Sequence, residues 1–151
     1  MKFQYSFQQI VNLKNNEKTQ AEWILSEAIV RLHSEENGLT ELDRQKTELS
    51  EQISKASADS IIISEMLLLQ NYMNHLDQEI IKKNREVQIA QRLVVKEQAH
   101  LSEKMIDEKV WMKAREKAYV QFQALSGKKE QEALDEMTTN RFKRLSEASS
   151  S

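Results

Sequence analysis

Only two glycines and no proline occur in 151 residues. An average chain of this length would carry about ten glycines and about seven prolines. These two residues supply the backbone angles of most tight turns, so a chain nearly without them can build few turns. That argues against sandwiches, barrels, doubly wound sheets and glycine-rich phosphate loops. A few long helices remain. Glu, Lys, Gln, Leu, Ala and Ser dominate, and most of these are good helix formers. Hydrophobic residues make up 39%, which suits helices packed along a narrow stripe better than a compact globule.

Other bulk properties set limits on function. The net charge of −2 gives no electrostatic case for nucleic acid or for an anionic membrane surface. Cysteine is absent, which excludes disulfides and thiolate metal sites and is compatible with a reducing cytosol. Met1–Gln9 lacks the apolar core of a signal peptide. The longest apolar runs, 61–63 and 66–69, fall far short of the roughly 20 residues that span a bilayer.

The apolar residues fall on seven-residue columns. In the first third, one column is Val11, Lys18, Leu25, Leu32, Leu39, Lys46 and Ile53. The other is Phe7, Lys14, Ala21, Ala28, Glu35, Leu42, Leu49 and Ala56. Together they form a coiled-coil seam with a few charged defects. Gly38 sits inside the seam, and the register continues through Leu39 and Leu42, so it is read as part of the helix. Residues 55–60, Lys-Ala-Ser-Ala-Asp-Ser, are small and polar and make the best turn candidate. Asp59 or Ser60 is expected to cap the next helix.

The second seam runs through Met66, Met73, Ile80, Val87, Val94 and Leu101, with Leu69, Leu76, Lys83, Ala90 and Glu97 beside them. After Leu101 the stripe is expected to step to Met105, Met112 and Tyr119. Such a stutter locally unwinds the supercoil. The old register stays partly apolar through Trp111, Ala118, Phe122 and Leu125, so the apolar face widens there. Gly127 followed by two lysines reads as a helix stop. A weaker helical pattern, Leu134, Met137, Phe142 and Leu145, follows, and residues 146–151 read as a disordered tail.

The expected architecture is therefore all-α, one coiled-coil domain over residues 1–145. Helix one covers about 5–56, the turn 57–60, helix two about 61–126 and a C-terminal segment about 128–145. With the turn centred near residue 58, residue i faces roughly residue 117 − i. The paired shaft is then about 50 residues per arm, roughly 75 Å at 1.5 Å per residue. Everything after about Lys113 would lack a partner in the chain, and exposed apolar stripes call for one. Ile61, Ile62, Ile63, Leu67, Leu68 and Tyr72 likewise exceed what a two-column seam can bury. They imply either a second contact surface or a tip folded onto its own turn.

No chemistry emerges from the polar residues. His33, His75 and His100 have no second histidine at a metal-ligand interval. Glu35-Glu36 and Asp135-Glu136 are adjacent carboxylates that point to different sides of a helix. Glu108 and Arg115 fall on the seam and read as structural ion-pair members. The six methionines lie mostly on the seam, where packing explains them. Two long helices offer no ligand-sized pocket. No catalytic, cofactor or metal site is expected, and the chain is read as a non-enzyme.

Three segments carry a family resemblance: residues 3–14, FQYSFQQIVNLK; residues 70–80, QNYMNHLDQEI; and residues 113–119, KAREKAY, with QEALDE at 131–136. In order, spacing and total length they resemble the FliJ family of flagellar export-apparatus stalk proteins, over nearly the whole chain. The resemblance implies an antiparallel two-helix coiled coil similar to the gamma subunit of rotary ATP synthases. It also implies three partners: the export ATPase hexamer, the cytoplasmic domain of the export gate protein, and export chaperones. Nucleic acid is not among them, and the membrane is reached only through protein partners. The family's gate-binding aromatic and leucine fall on Tyr72 and Leu76, with Leu69 and Met73 beside them; a small residue that follows in the family is Glu79 here. The candidates for the ATPase ring are Trp111, Arg115, Tyr119, Phe122 and Leu125. The implied location is cytoplasmic, peripheral to the cell membrane at the flagellar basal body. Two rivals stand beside this reading: the stalk of a virulence injectisome, and a passive coiled-coil scaffold or homodimer.

Overall fold

The computed structural model describes residues 2–149. Two helices account for nearly all of them, α1 (Gln8–Ala58) and α2 (Ile63–Ser149), and no strand occurs among the described residues. The all-α expectation holds. Backbone packing divides the chain into two units: Lys18–Glu103, and Met1–Glu17 with Lys104–Ser151.

The unit formed by Lys18–Glu103 is an antiparallel helix pair with an apolar seam. Its buried side chains are Ala21, Ala28, Leu49, Leu76, Val87 and Ala90, and each lies on an expected column. Leu25, Leu32, Leu39, Leu42, Ile53, Met66, Leu69, Met73, Ile80 and Val94 complete the stripe, half-buried. The alanines let the two backbones approach closely, and the aliphatic residues gain by leaving water. Charged defects in the columns are paired. Lys83 donates to Glu35 at 3.0 Å and lies 2.9 Å from Glu86, and Lys46 lies 2.8 Å from Asp77. Gly38 serves the first of these groups. A Cβ there would stand 3.3 Å from Lys83 Cε, so the missing side chain leaves room for the lysine stem on its way to Glu35.

Three boundaries differ from the sequence expectation. Helix α1 starts at Gln8 rather than 5, with the Phe7 carbonyl accepting from the amides of Ile10 and Val11. It ends at Ala58, because Asp59 N–H still bonds the Lys55 carbonyl and the Ser57 hydroxyl bonds the Ile53 carbonyl. The turn is therefore 59–62, two residues later than expected and of the same length. Neither Asp59 nor Ser60 caps α2. The Ile62 carbonyl accepts from Glu65 and Met66 at the start of that helix. The tip does not fold onto itself either: Ile62, Ile63, Leu67 and Leu68 are all exposed.

The unit that holds residues 2–17 and 104–149 pairs the start of α1 with α2 in a register other than the expected one. Lys14 meets Asp107 and Glu17 meets Lys104, so residue i faces about 121 − i. The later turn shifts the register from 117 − i. The expected stutter is absent. Met105 and Met112 are exposed, and so is much of Tyr119. Lys104, Glu108, Trp111, Ala118 and Phe122 are covered and stay on the seven-residue columns, whereas Arg115 and Leu125 of those columns are exposed. The charged residues that looked like breaks in the pattern are held by partners across the seam.

Gly127 does not end the helix; α2 runs through it to Ser149. No glycine adopts a positive φ, so the left-handed turn that would stop a helix is not formed there. The strong helix formers on both sides carry the chain across a glycine that costs about 1 kcal/mol relative to alanine. Residues 146–149, expected to be disordered, are its last helical turn; residues 150 and 151 lie outside the described residues.

Candidate partner-binding surfaces

Around the start of α1, the non-helical residues 2–5 lie along α2. Phe3 sits edge-on to Tyr119 with ring centroids 5.1 Å apart, and 5.3 Å from Phe122. The Arg115 guanidinium lies over the Phe3 ring at 5.6 Å, a cation–π contact, and Arg115 Nε donates to Gln8 Oε1 at 2.7 Å. Phe7 meets Trp111 edge-on at 6.0 Å and Tyr5 at 5.8 Å. Such ring pairs add about 0.5–1.5 kcal/mol each beyond their buried area. Below this cluster Asn15 Nδ2 donates to Glu108 Oε2 at 2.9 Å. Among the described residues Glu108 is the buried charged one, 8% exposed.

The five residues expected to meet an ATPase ring therefore fall in one stretch but are not equally available. Trp111, Arg115, Tyr119 and Phe122 already have partners within the chain, and Leu125 is exposed without a ring contact. This also corrects the expectation that pairing stops near Lys113. The N-terminal segment, read only for its family motif and not for packing, carries contacts to Phe122. The signal was there in Phe3, Tyr5 and Phe7, whose spacing of two suits an extended strip. Beyond residue 126 every described residue is exposed, among them Leu134, Met137, Phe142 and Leu145.

The four gate candidates also separate. Leu76 is 2% exposed and belongs to the core of its unit, whereas Tyr72 is 49% exposed. Leu69 and Met73 are half-buried in the seam. Tyr72 stacks on His75 with centroids 6.3 Å apart, and Leu68, one turn before it, is exposed. The available surface is thus Leu68, Tyr72 and His75 on one flank, with Ile63 and Leu67 on another.

The electrostatics are those of solvated helix surfaces. The Asp107 and Glu17 carboxylates beside Lys14 raise its pKa, the Asp107 hydrogen bond most of all. Glu86 and Glu35 do the same for Lys83, and Asp77 for Lys46. No group of three or more His, Asp or Glu residues among those described is placed to hold a metal ion. Among the described residues no helix is long and apolar enough to cross a membrane.

Comparison with known proteins adds identity to this geometry. The family described as "Flagellar FliJ protein" matches residues 2–147. The Flagellar FliJ protein of Bacillus subtilis (strain 168) is 25% identical over 142 residues, covering 94% of this chain and 97% of the relative. No solved structure matches.

Proposed function

We propose that this chain, which belongs to the flagellar FliJ protein family, is a non-enzymatic stalk of the flagellar type III export apparatus. The observation that carries the proposal is the family match across residues 2–147. It spans both helices rather than one coiled-coil stretch. In this reading, residues 104–149 with the N-terminal segment engage the export ATPase hexamer and promote its assembly and activity. Residues near the turn engage the cytoplasmic domain of the export gate, and export chaperones dock on the same stalk. The protein works at the cytoplasmic face of the cell membrane, held there by its protein partners. The mechanism is allosteric: an asymmetric helix pair in a sixfold ring touches the subunits unequally and biases their nucleotide states.

Two surfaces support this division. The helical surface past residue 126 is exposed and carries Leu134, Met137, Phe142 and Leu145, and the tip presents Leu68 and Tyr72. The deciding experiment mixes the protein with the flagellar export ATPase and follows ATP turnover. A stalk stimulates it. An unchanged rate, with the protein shown to be folded, sinks the proposal in favour of a passive scaffold. At the other end, Tyr72→Ala weakens gate binding and leaves ATPase stimulation intact. Leu76 is unsuited to that test because its loss unsettles the helix pair itself.

A further inference from the structure

Within residues 104–149, α2 carries a second stripe on the side away from its seam. Ile106, Val110, Lys113, Lys117 and Val120 follow the four-three spacing of a coiled-coil contact line. Each lies two residues past a seam position, about 200° around the helix. Ile106, Val110 and Val120 are 65%, 60% and 57% exposed. Lys109 adjoins the stripe, so Lys109, Lys113 and Lys117 form a row one turn apart. None of the three has a carboxylate partner among the described residues, whereas nearby Lys14 and Lys104 are both paired. On the seam side, Trp111, Arg115 and Phe122 are taken up by Phe3, Phe7 and Gln8.

We propose that this outer face docks an acidic amphipathic helix of another protein. The spacing fits a helix laid alongside, its apolar residues between Ile106, Val110 and Val120 and its carboxylates on the lysine row. The lysine stems extend the apolar surface while their ammonium groups meet the partner's charge. From Ile106 to Val120 the stripe is about 21 Å long, a four-turn contact. A second copy docked through this same face is a poor occupant, because it sets one lysine row against another. The proposal names the partner by its chemistry and stands whether or not that partner is an ATPase.

The test uses the full-length protein and two labelled synthetic helical peptides, each with leucine at the a and d positions. One carries glutamate at e and g, the other lysine. The glutamate peptide binds and gains helicity, and added salt weakens it; the lysine peptide does not bind. Lys109→Glu with Lys113→Glu and Lys117→Glu weakens binding about tenfold or more. The triple arginine variant keeps it, and Ile106→Ser with Val110→Ser reduces it. Charge reversal at Lys128 and Lys129 leaves it unchanged. All these side chains are solvent-facing, and unchanged helicity and melting of the variants confirm that the fold is intact. Equal binding by the triple glutamate variant, equal binding of both peptides, or tighter binding to anionic lipid vesicles than to the glutamate peptide overturns the proposal.

Discussion

The seam of Lys18–Glu103 and the seam of the terminal unit obey one seven-residue rule and fill it with different shares of aliphatic and charged residues. In the former, the buried positions are alanine, leucine and valine. In the latter, Val11 is the buried aliphatic residue, Glu108 is buried beside it and Lys104 is half-buried, with aromatic residues towards the end of the pair. An apolar seam takes its free energy from area withdrawn from water, which is non-directional and tolerates sliding. A polar seam gains less per residue, because desolvation offsets much of each pairing. It nevertheless names its partners: Lys14 finds Asp107, Glu17 finds Lys104, Asn15 finds Glu108. The apolar unit therefore supplies most of the stability, and the terminal unit specifies register at a smaller gain.

The sharpest way to break this contrast is to truncate one residue of each kind. Leu76→Ala removes a core side chain that is 2% exposed and costs about 2–4 kcal/mol of unfolding free energy, read by urea denaturation. Its neighbour Tyr72→Ala, on the solvent side, changes stability by less than about 0.5 kcal/mol. Equal losses would mean that the tip, and not the seam, holds the pair together. Next in size, Glu108→Ala removes the acceptor of the Asn15 bond and costs about 1–2 kcal/mol. Replacing both Glu108 and Asn15 by leucine recovers part of that loss, since Glu108 is buried and Asn15 exposed, and only the buried site gains from an apolar side chain. A double variant that loses as much as Glu108→Ala would show that the polar pair itself supplies stability as well as register.

The same contrast explains what could be read from the sequence. Where the seam is apolar, the columns named every buried residue, from Ala21 to Ala90, because burial there depends only on spacing. Where it is polar, periodicity of apolar residues pointed the wrong way. It followed Met105 and Met112, which turn out to face solvent, and left Lys104 out of the seam. A charged residue announces a seam position only through its partner, and Lys104 and Glu17 are 87 residues apart. The tip failed for a local reason. Polar residues at 55–60 looked like a turn, but serine and alanine continue a helix readily when carbonyls one turn back accept their hydrogen bonds. The family motifs placed Tyr72 and Leu76 together, whereas the helical repeat turns one outward and the other into the seam.

Glycine gives a smaller probe. Gly127 has nothing within 4 Å of a new Cβ and no positive φ. Gly127→Ala therefore stabilises α2 locally by about 0.5–1 kcal/mol, seen as slower amide exchange near residue 127. Gly38→Ala gains less, because the new Cβ meets Lys83 at 3.3 Å and the lysine must move. Equal gains at both sites would show that Lys83 is not held in place by Glu35.

The smallest effect separates the paired charges within one helix from those across the seam, and pH reads it. Arg44 grips the Glu41 carboxylate with Nη2 at 2.6 Å and Nε at 3.0 Å. That hydrogen bonding, with help from Gln45, lowers the Glu41 pKa from 4.5 to about 2. A carboxylate with a depressed folded pKa contributes its stability above the unfolded value and loses it as pH falls. The Glu41 contribution is thus complete above pH 4.5 and fades down to about pH 2. Glu86, held below its ordinary value chiefly by Lys83, fades in the same direction. Lys14, Lys46 and Lys83 have raised values, so their contributions are complete below pH 10.5 and are lost above it. Glu41 and Lys46 are exposed and Lys14, Lys83 and Glu86 are half-buried, so water screens these contributions and keeps them small. The urea midpoint is therefore expected to fall modestly from pH 4.5 towards 2, and Glu41→Gln to flatten part of that fall. Salt separates the two kinds of pair. Glu41 and Arg44 sit three residues apart on one helix and report local helicity, whereas Glu86 reports a lysine shared with Glu35 across the seam. If Glu41→Gln and Glu86→Gln flatten the acid limb equally and respond equally to salt, the seam lysine is no more than another surface charge.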